Sequence, residues 1–148
     1  GYRNRDFLYI RNYKPDLWPA GTGKLGYTNF PNQWYADCDG GPTKGYIIYN
    51  RDKDEEHLRA YQLCFAKRPG EELYDLKNDP GQLNNVATNP EYAEVLVTMR
   101  EKLQEKLTKF NDPRAEDPDY DGFEKHPYLG GAGGIHRKSS RGTRVEMP

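Results

Sequence analysis

Two short stretches of strand-forming side chains predict β-strands. The first is DFLYIRNY, residues 6–13, which is rich in the aromatic and β-branched residues that strands favour. Its two faces carry Phe7, Tyr9 and Arg11 on one side and Leu8 and Ile10 on the other. The second is EELYDL, residues 71–76, whose inward-facing residues are expected to be Leu73 and Leu76. The turn sequence KNDPG ends this second strand.

Helical spacing and capping residues predict three helices. A segment that begins with Pro42 suits a first helical position, although its apolar residues 46–49 are equally compatible with a strand. Residues 54–66 place acidic side chains at the start of a second helix. The third and longest helix begins with Asn89 as its cap and Pro90 as its first residue. Its apolar stripe recurs at three- and four-residue steps and comprises Tyr92, Leu96, Met99, Leu103, Leu107 and Phe110.

Together these elements predict an α+β fold. We expect a small antiparallel β-sheet packed against a long C-terminal amphipathic helix, at about residues 90–110, with long irregular loops. The longest loop, residues 14–41, is dense in Pro, Gly and Asn. We expect residues 1–115 to form the folded unit and residues 116–148 to form an irregular tail with a basic end.

The composition indicates an ordered domain that rests against a larger partner. Hydrophobic residues make up 34% of the 148 positions and charged residues 30%, so an isolated core would be small. The aromatic share of 13% nevertheless argues against disorder, and tyrosine favours interfaces. A net charge of −1 gives no general attraction to nucleic acid or membranes, and no apolar run approaches the ~20 residues of a membrane span. Since the chain does not begin with Met, we expect it to be cut from a longer protein.

Two motifs raise the question of catalysis. Cys64 lies in CFAKR, which fits the form C-x-[PA]-x-R of a cysteine that is oxidised to an aldehyde nucleophile. Its position beside Phe65 near the end of a helix favours instead a small buried thiol. The pattern DPDYDG at residues 117–122 opens like a calcium loop, but Tyr128 stands where such a loop needs a bidentate Glu. We therefore predict neither a catalytic residue nor a metal site in this chain.

Residues 67–107, KRPGEELYDLKNDPGQLNNVATNPEYAEVLVTMREKLQEKL, resemble the C-terminal end of type I sulfatases. This superfamily includes arylsulfatases and heparan N-sulfatases, and its pattern is E-L-Y-D-L-x-x-D-P-x-E-x-x-N-L followed by a terminal helix. The matching positions here are residues 72–76, Asp79, Pro80 and Asn85, while Gln82 stands where the acid is common. FLYIRNYKPDLWPAG resembles an earlier strand of the family, and DGGPTK and NDPR resemble segments of the heparan N-sulfatase-like branch. The resemblance covers about residues 5–115.

The resemblance implies that this chain is the non-catalytic C-terminal portion of a sulfatase. Such a portion completes the fold and borders the substrate pocket, beside a large N-terminal catalytic domain. That domain is expected to hold the formylglycine nucleophile and calcium, so no cofactor is expected in this chain. The expected partners are the N-terminal sulfatase catalytic domain and a sulfated glycan, and the family favours an extracellular or periplasmic location.

For an anionic sugar, cations beside turns and exposed aromatic rings are the natural ligands. The candidate substrate-binding residues are Lys44, Arg68, His126, Trp18 and Trp34. The alternative for Arg68 is a salt bridge to Glu71 or Glu72. The two tryptophans suit stacking on a sugar and packing against another domain equally well. An alternative function is a free-standing carbohydrate-binding or protein-interaction module on the same scaffold.

Overall fold

Three strands form one antiparallel sheet in the computed structural model, which describes residues 1–21, residue 35 and residues 38–125. The strands are β1 (Tyr2–Arg3), β2 (Phe7–Arg11) and β3 (Glu71–Asp75). β2 lies between β1 and β3, and Tyr9 of β2 is opposite Leu73 of β3. Both strands predicted from the sequence are present, and with the helices below they confirm the α+β fold.

Helices occupy most of the remaining regular structure. The helices are α1 (Pro42–Tyr49), α2 (Glu55–Phe65), α3 (Ala93–Lys109) and α4 (Gly122–Lys125). The segment that begins at Pro42 is thus a helix and not a strand, in keeping with the fixed backbone angle of proline at a first helical position. α2 begins after Asp54, whose carboxylate accepts the backbone N–H of His57 at 3.0 Å.

α3 is the long helix predicted from the apolar stripe. Asn89 caps the preceding 3-10 turn, Pro90–Tyr92, by accepting the backbone N–H of Glu91 at 3.0 Å. The middle of the stripe faces the sheet and is buried, at Leu96, Met99 and Leu103. The prediction was wrong for Phe110, which is 73% exposed. α3 ends at Lys109, so the side chain of Phe110 lies beyond the part of the stripe that packs on the sheet.

The sheet and α3 enclose the larger hydrophobic cluster. Its buried members, which we call the sheet–helix cluster, are Tyr9, Leu73, Leu96, Met99 and Leu103. Tyr9 and Leu73 are both 0% exposed and form its centre. Leu76, which was expected to face inward like Leu73, is only half-buried. β3 ends at Asp75, whose carboxylate accepts the backbone N–H groups of the following turn, so Leu76 lies outside the strand.

The outer edge of β3 is covered by the chain that follows the ELYDL motif. Asn85 Oδ1 accepts the backbone N–H of Leu73 at 2.9 Å, and Asn85 Nδ2 donates to the carbonyl of Glu71 at 3.1 Å. The backbone N–H of Val86 donates to the carbonyl of Leu73 at 2.8 Å. The Asn85 side chain and the Val86 amide therefore make the hydrogen bonds that a fourth strand would make with β3.

A second, smaller cluster joins α1 and α2. Its buried members, which we call the helix-pair cluster, are Tyr35, Ile48 and Phe65. The rings of Tyr35 and Phe65 lie 4.9 Å apart. Cys64, which was expected to be a buried thiol, is exposed. Phe65 takes the inward position at this end of α2, and its neighbour in the helix consequently points to solvent.

Candidate anion-binding cleft

Cationic side chains line a cleft of about 260 Å³ beyond the end of β2. We call it the cationic cleft. Its charged lining residues are Arg11, Lys14, Arg68 and Arg114. The other lining residues that the structure describes are Asn12, Tyr13, Pro15, Leu17 and Pro19, so none of the described lining residues is acidic. Positive charge without a carboxylate in the lining favours the binding of an anion.

Tyr13 is an aromatic neighbour shared by the guanidinium groups of Arg11 and Arg114. The Arg11 guanidinium lies 5.3 Å from the centroid of the Tyr13 ring, and that of Arg114 lies 4.9 Å from it. Arg11 is the last residue of β2, and Arg114 belongs to the 3-10 turn Pro113–Ala115 after α3. These cation–π contacts hold both guanidinium groups against the same ring.

Backbone carbonyls fix the other two cations. Lys14 Nζ donates to the carbonyl of Asp119 at 3.1 Å, and Arg68 Nη2 donates to the carbonyl of Leu63 at 2.5 Å. An ammonium has three donors and a guanidinium has five, so each group keeps donors for a ligand. A neutral carbonyl also leaves the full positive charge in place.

A polar network beside the cleft anchors Asn12 to β3. Asn12 Nδ2 donates to the Pro69 carbonyl and to Glu72 Oε1, both at 2.8 Å. The Tyr74 hydroxyl donates to the other carboxylate oxygen of Glu72, which is buried. Burial, and then this bond to Glu72, raises the pKa of Tyr74 to about 12. Each carboxylate oxygen of Glu72 thus already accepts a hydrogen bond from a neutral donor.

A larger cleft of about 490 Å³ adjoins the cationic cleft and shares Arg11, Asn12 and Tyr13 with it. Among its described lining residues the second cation is Arg100, which binds both carboxylate oxygens of Glu71 at 2.6 and 2.5 Å. These bonds hold the pKa of Glu71 below its usual value. The Tyr9 hydroxyl also donates to Glu71 at 2.5 Å, and burial, followed by this bond, raises the pKa of Tyr9 to about 12. The side-chain hydrogen bonds of Glu71 are therefore made with α3 and Tyr9, while the charge of Arg11, its neighbour across the sheet, also lowers the pKa of Glu71.

The structure assigns separate positions to the candidate substrate-binding residues. Arg68 lines the cationic cleft and donates to the Leu63 carbonyl. The alternative ion pair is wrong for both acids, since Glu71 pairs with Arg100 and Glu72 accepts from Asn12 and Tyr74. Lys44 Nζ donates to the carbonyls of Tyr35 at 2.9 Å and Cys38 at 2.6 Å, and Lys44 does not line the cationic cleft.

The aromatic candidate that the structure describes is Trp18. Its side chain is 39% exposed, packs edge-on against Tyr35 at 5.9 Å, and has Lys67 Nζ 5.7 Å from its ring centroid. Trp18 follows Leu17, which lines the cationic cleft. Trp34 and His126 lie outside the described residues.

Sequence reasoning missed Arg11, Lys14 and Arg114. The first two were placed in a strand and in a loop, and the third was noted only as part of NDPR. A usable signal was present: β2 and β3 were both predicted, and antiparallel pairing brings the end of one beside the start of the other, here Arg11 opposite Glu71.

Neither a metal cluster nor a membrane span is found in the part of the chain that the structure describes. Within residues 1–21, 35 and 38–125, no three His, Cys, Asp or Glu side chains are grouped as a metal ion would require. No helix within the same residues is long and apolar enough to cross a bilayer.

Comparison with known proteins relates the chain to sulfatases. It is 36% identical over 112 residues to an ulvan-active sulfatase of Formosa agariphila, a match that covers 74% of this chain and 16% of that protein. It is 28% identical over 81 residues to a Delta 4,5-hexuronate-2-O-sulfatase of Bacteroides thetaiotaomicron, covering 55% of this chain and 15% of that protein. No protein-family model and no solved structure matches the chain. The chain spans less than a fifth of each of these two relatives, and it is therefore similar to one region of larger sulfatases.

Proposed function

We propose that this chain is the C-terminal subdomain of a formylglycine-dependent sulfatase. The observation that carries the proposal is the match of 74% of the chain to 16% of an ulvan-active sulfatase. The ELYDL strand, its turn and the terminal helix support the C-terminal placement, because this is the order in which the family's pattern ends. In this role the chain completes the fold of the larger protein and borders its substrate pocket.

In this proposal the chain is not catalytic by itself. The aldehyde hydrate of formylglycine supplies the nucleophile in the family, and both it and calcium belong to the N-terminal catalytic domain, which is the chain's partner. Cys64 is exposed on α2 and lines neither of the two clefts. A location outside the cytoplasm, extracellular or periplasmic, is part of the same proposal.

The substrate that we propose is a sulfated carbohydrate. One relative is named as ulvan-active and the other as a hexuronate-2-O-sulfatase. The cationic cleft supports this substrate class, because its lining within residues 1–21, 35 and 38–125 holds four cations and no carboxylate. Trp18, whose side chain is 39% exposed, lies in the chain between Leu17 and Pro19, which both line the cleft.

The experiment that tests the proposal starts from the complete reading frame that contains this chain. We expect it to encode a C/S-x-P-x-R motif upstream and to release sulfate from ulvan or from a 2-O-sulfated hexuronate disaccharide. The 148-residue chain alone should release none. A complete frame without that motif, or one whose product cleaves no sulfate, would refute the proposal. A chain that binds the sugar without any adjoining catalytic domain would favour the carbohydrate-binding module instead.

A further inference from the structure

We propose that the cationic cleft is a specificity site for an anionic substituent of the sugar, a sulfate or a carboxylate that is not itself cleaved. Arg11 is the principal ligand, and Lys14 and Arg68 complete the site. The choice of an acidic saccharide rests on the proposed function, whereas the preference for an anion rests on the charges of the cleft.

The charge balance around the cleft favours an external anion. The neighbouring acids already have partners on the protein: Glu71 binds Arg100, Glu72 accepts from Asn12 and Tyr74, and Asp121 pairs with Lys125 at 2.5 Å. Asp119 lines the adjoining cleft and meets Lys14 through its backbone carbonyl. The contacts that position Arg11, Lys14 and Arg68 are thus a ring and two backbone carbonyls, which carry no negative charge.

The position of Arg11 suits it to bind the anion directly. Arg11 is exposed at the end of β2 and lines both clefts. Its guanidinium lies over the Tyr13 ring, and Glu71, which its charge also influences, is hydrogen-bonded to Arg100. A guanidinium presents paired N–H groups that match two oxygens of a carboxylate or sulfate. Lys14 and Arg68 each donate one hydrogen bond to a backbone carbonyl. Their positive charges therefore assist Arg11 in attracting the anion.

The volumes indicate which part of a saccharide occupies each cleft. At about 260 Å³ the cationic cleft is smaller than the ~300–1,000 Å³ of pockets that enclose a whole drug-sized ligand. It has room for a charged substituent, and the adjoining cleft of about 490 Å³ has room for the ring that carries it. The shared residues Arg11, Asn12 and Tyr13 stand between the two.

Calorimetric titration of the 148-residue chain tests this inference. The probe is an unsaturated 2-O-sulfated hexuronate disaccharide, and the control ligand is a neutral disaccharide of the same length. We expect Arg11→Gln to weaken binding of the sulfated probe about tenfold, since it removes a charge-assisted pair of hydrogen bonds. Arg11→Lys should weaken binding of the probe less than Arg11→Gln does, because lysine keeps the positive charge and loses only the paired N–H groups. Lys14→Gln should weaken binding by about threefold.

Arg3→Gln is the matched control, because Arg3 is an exposed arginine on β1 that lines neither cleft. It should leave the affinity unchanged. If the folded wild-type chain binds no sulfated probe, or if Arg3→Gln weakens binding as much as Arg11→Gln does, the cleft is not the site. Equal binding of the neutral disaccharide would overturn the preference for an anion.

Kinetics on the complete protein separate this inference from the proposed function. If the complete protein releases sulfate, Arg11→Gln should raise KM for the acidic substrate and leave kcat nearly unchanged. Sulfate release with an unchanged KM in that variant would overturn the role of the cleft and leave the sulfatase assignment standing. Arg11-dependent anion binding in a protein that cleaves no sulfate would leave the cleft standing and refute the proposed function.

Discussion

Replacement of Asn85 by alanine should destabilise the chain far more than its exposed position suggests. The side chain makes three hydrogen bonds: Oδ1 accepts the backbone N–H groups of Leu73 and Ala87 at 2.9 and 3.0 Å, and Nδ2 donates to the Glu71 carbonyl at 3.1 Å. Leu73 is 0% exposed and lies at the centre of the sheet–helix cluster. In Asn85→Ala its N–H loses its acceptor, while the other two groups lie at exposed positions where water can replace the bond.

The magnitude follows from that difference. A buried donor left without a partner costs about 1–3 kcal/mol, so we expect Asn85→Ala to lower the free energy of unfolding by about 2 kcal/mol. Asn85→Asp keeps both acceptor contacts but replaces the donation to Glu71 with a contact between two oxygens, and it should lower the free energy of unfolding by about 1 kcal/mol, less than Asn85→Ala. The neighbouring Asn84→Ala removes one exposed bond, with Arg59 at 2.8 Å, and should cost less than about 0.5 kcal/mol.

Urea denaturation followed by far-UV circular dichroism measures all three variants against the wild-type chain. A common slope m would show that the changes lie in stability rather than in the compactness of the unfolded state. Equal free energies of unfolding for Asn85→Ala and Asn84→Ala would refute the reasoning, because they would show that the edge of β3 does not depend on the Asn85 side chain.

Three further predictions concern the core, the acid response and the thiols. Met99 is 1% exposed, so Met99→Ala should cost about 2–5 kcal/mol in urea denaturation, whereas Val97→Ala on the exposed face of α3 should cost less than 1 kcal/mol. Because bonds from the α3 arginine hold the pKa of Glu71 below its usual 4.5, the stability that Glu71 contributes is complete above that pH and is lost as the pH falls through the lower folded value. The stability gap between wild type and Glu71→Gln should therefore narrow as the pH falls below 4.5, and a gap that stays constant would contradict this. Cys64 is exposed, so in a Cys38→Ser variant the native chain should react with a thiol reagent as fast as the unfolded chain does; protection in the native state would contradict the placement of Cys64.

Local sequence patterns were sufficient to predict β2, β3, α2 and α3, whereas they left α1 open between helix and strand and did not indicate the two-residue β1 or the short α4. Leu96, Met99 and Leu103 recur at the three- and four-residue spacing of a helix and are buried. Phe110 continues the same spacing and is exposed, since periodicity does not reveal where the sheet beneath a helix ends. Cys64 shows the same limit at the scale of one residue: the apolar neighbours of a position in a helix do not determine which way that position points.

The cationic cleft could not be predicted in the same way, because its members come from three distant parts of the chain. Arg11 ends β2 and Lys14 follows it, Arg68 precedes β3, and Arg114 lies in the turn after α3. The pairing of β2 with β3 brings Arg11 close to the start of β3, and this pairing could have been predicted from the sequence. The approach of Arg114 depends on the turn that follows α3, which no local pattern specifies.

The division of the apolar side chains into a sheet–helix cluster and a helix-pair cluster has a consequence for how the chain opens. Clusters with separate buried members can unfold one at a time, so we expect amide hydrogen exchange to occur in two steps, first in α1 and α2 and later in β2, β3 and α3. Arg68 is tied to α2 through the Leu63 carbonyl, whereas Arg11 stays with the sheet. Partial melting of α2 would therefore withdraw one cation while the others remain, and affinity for an anion would fall before the sheet itself is lost.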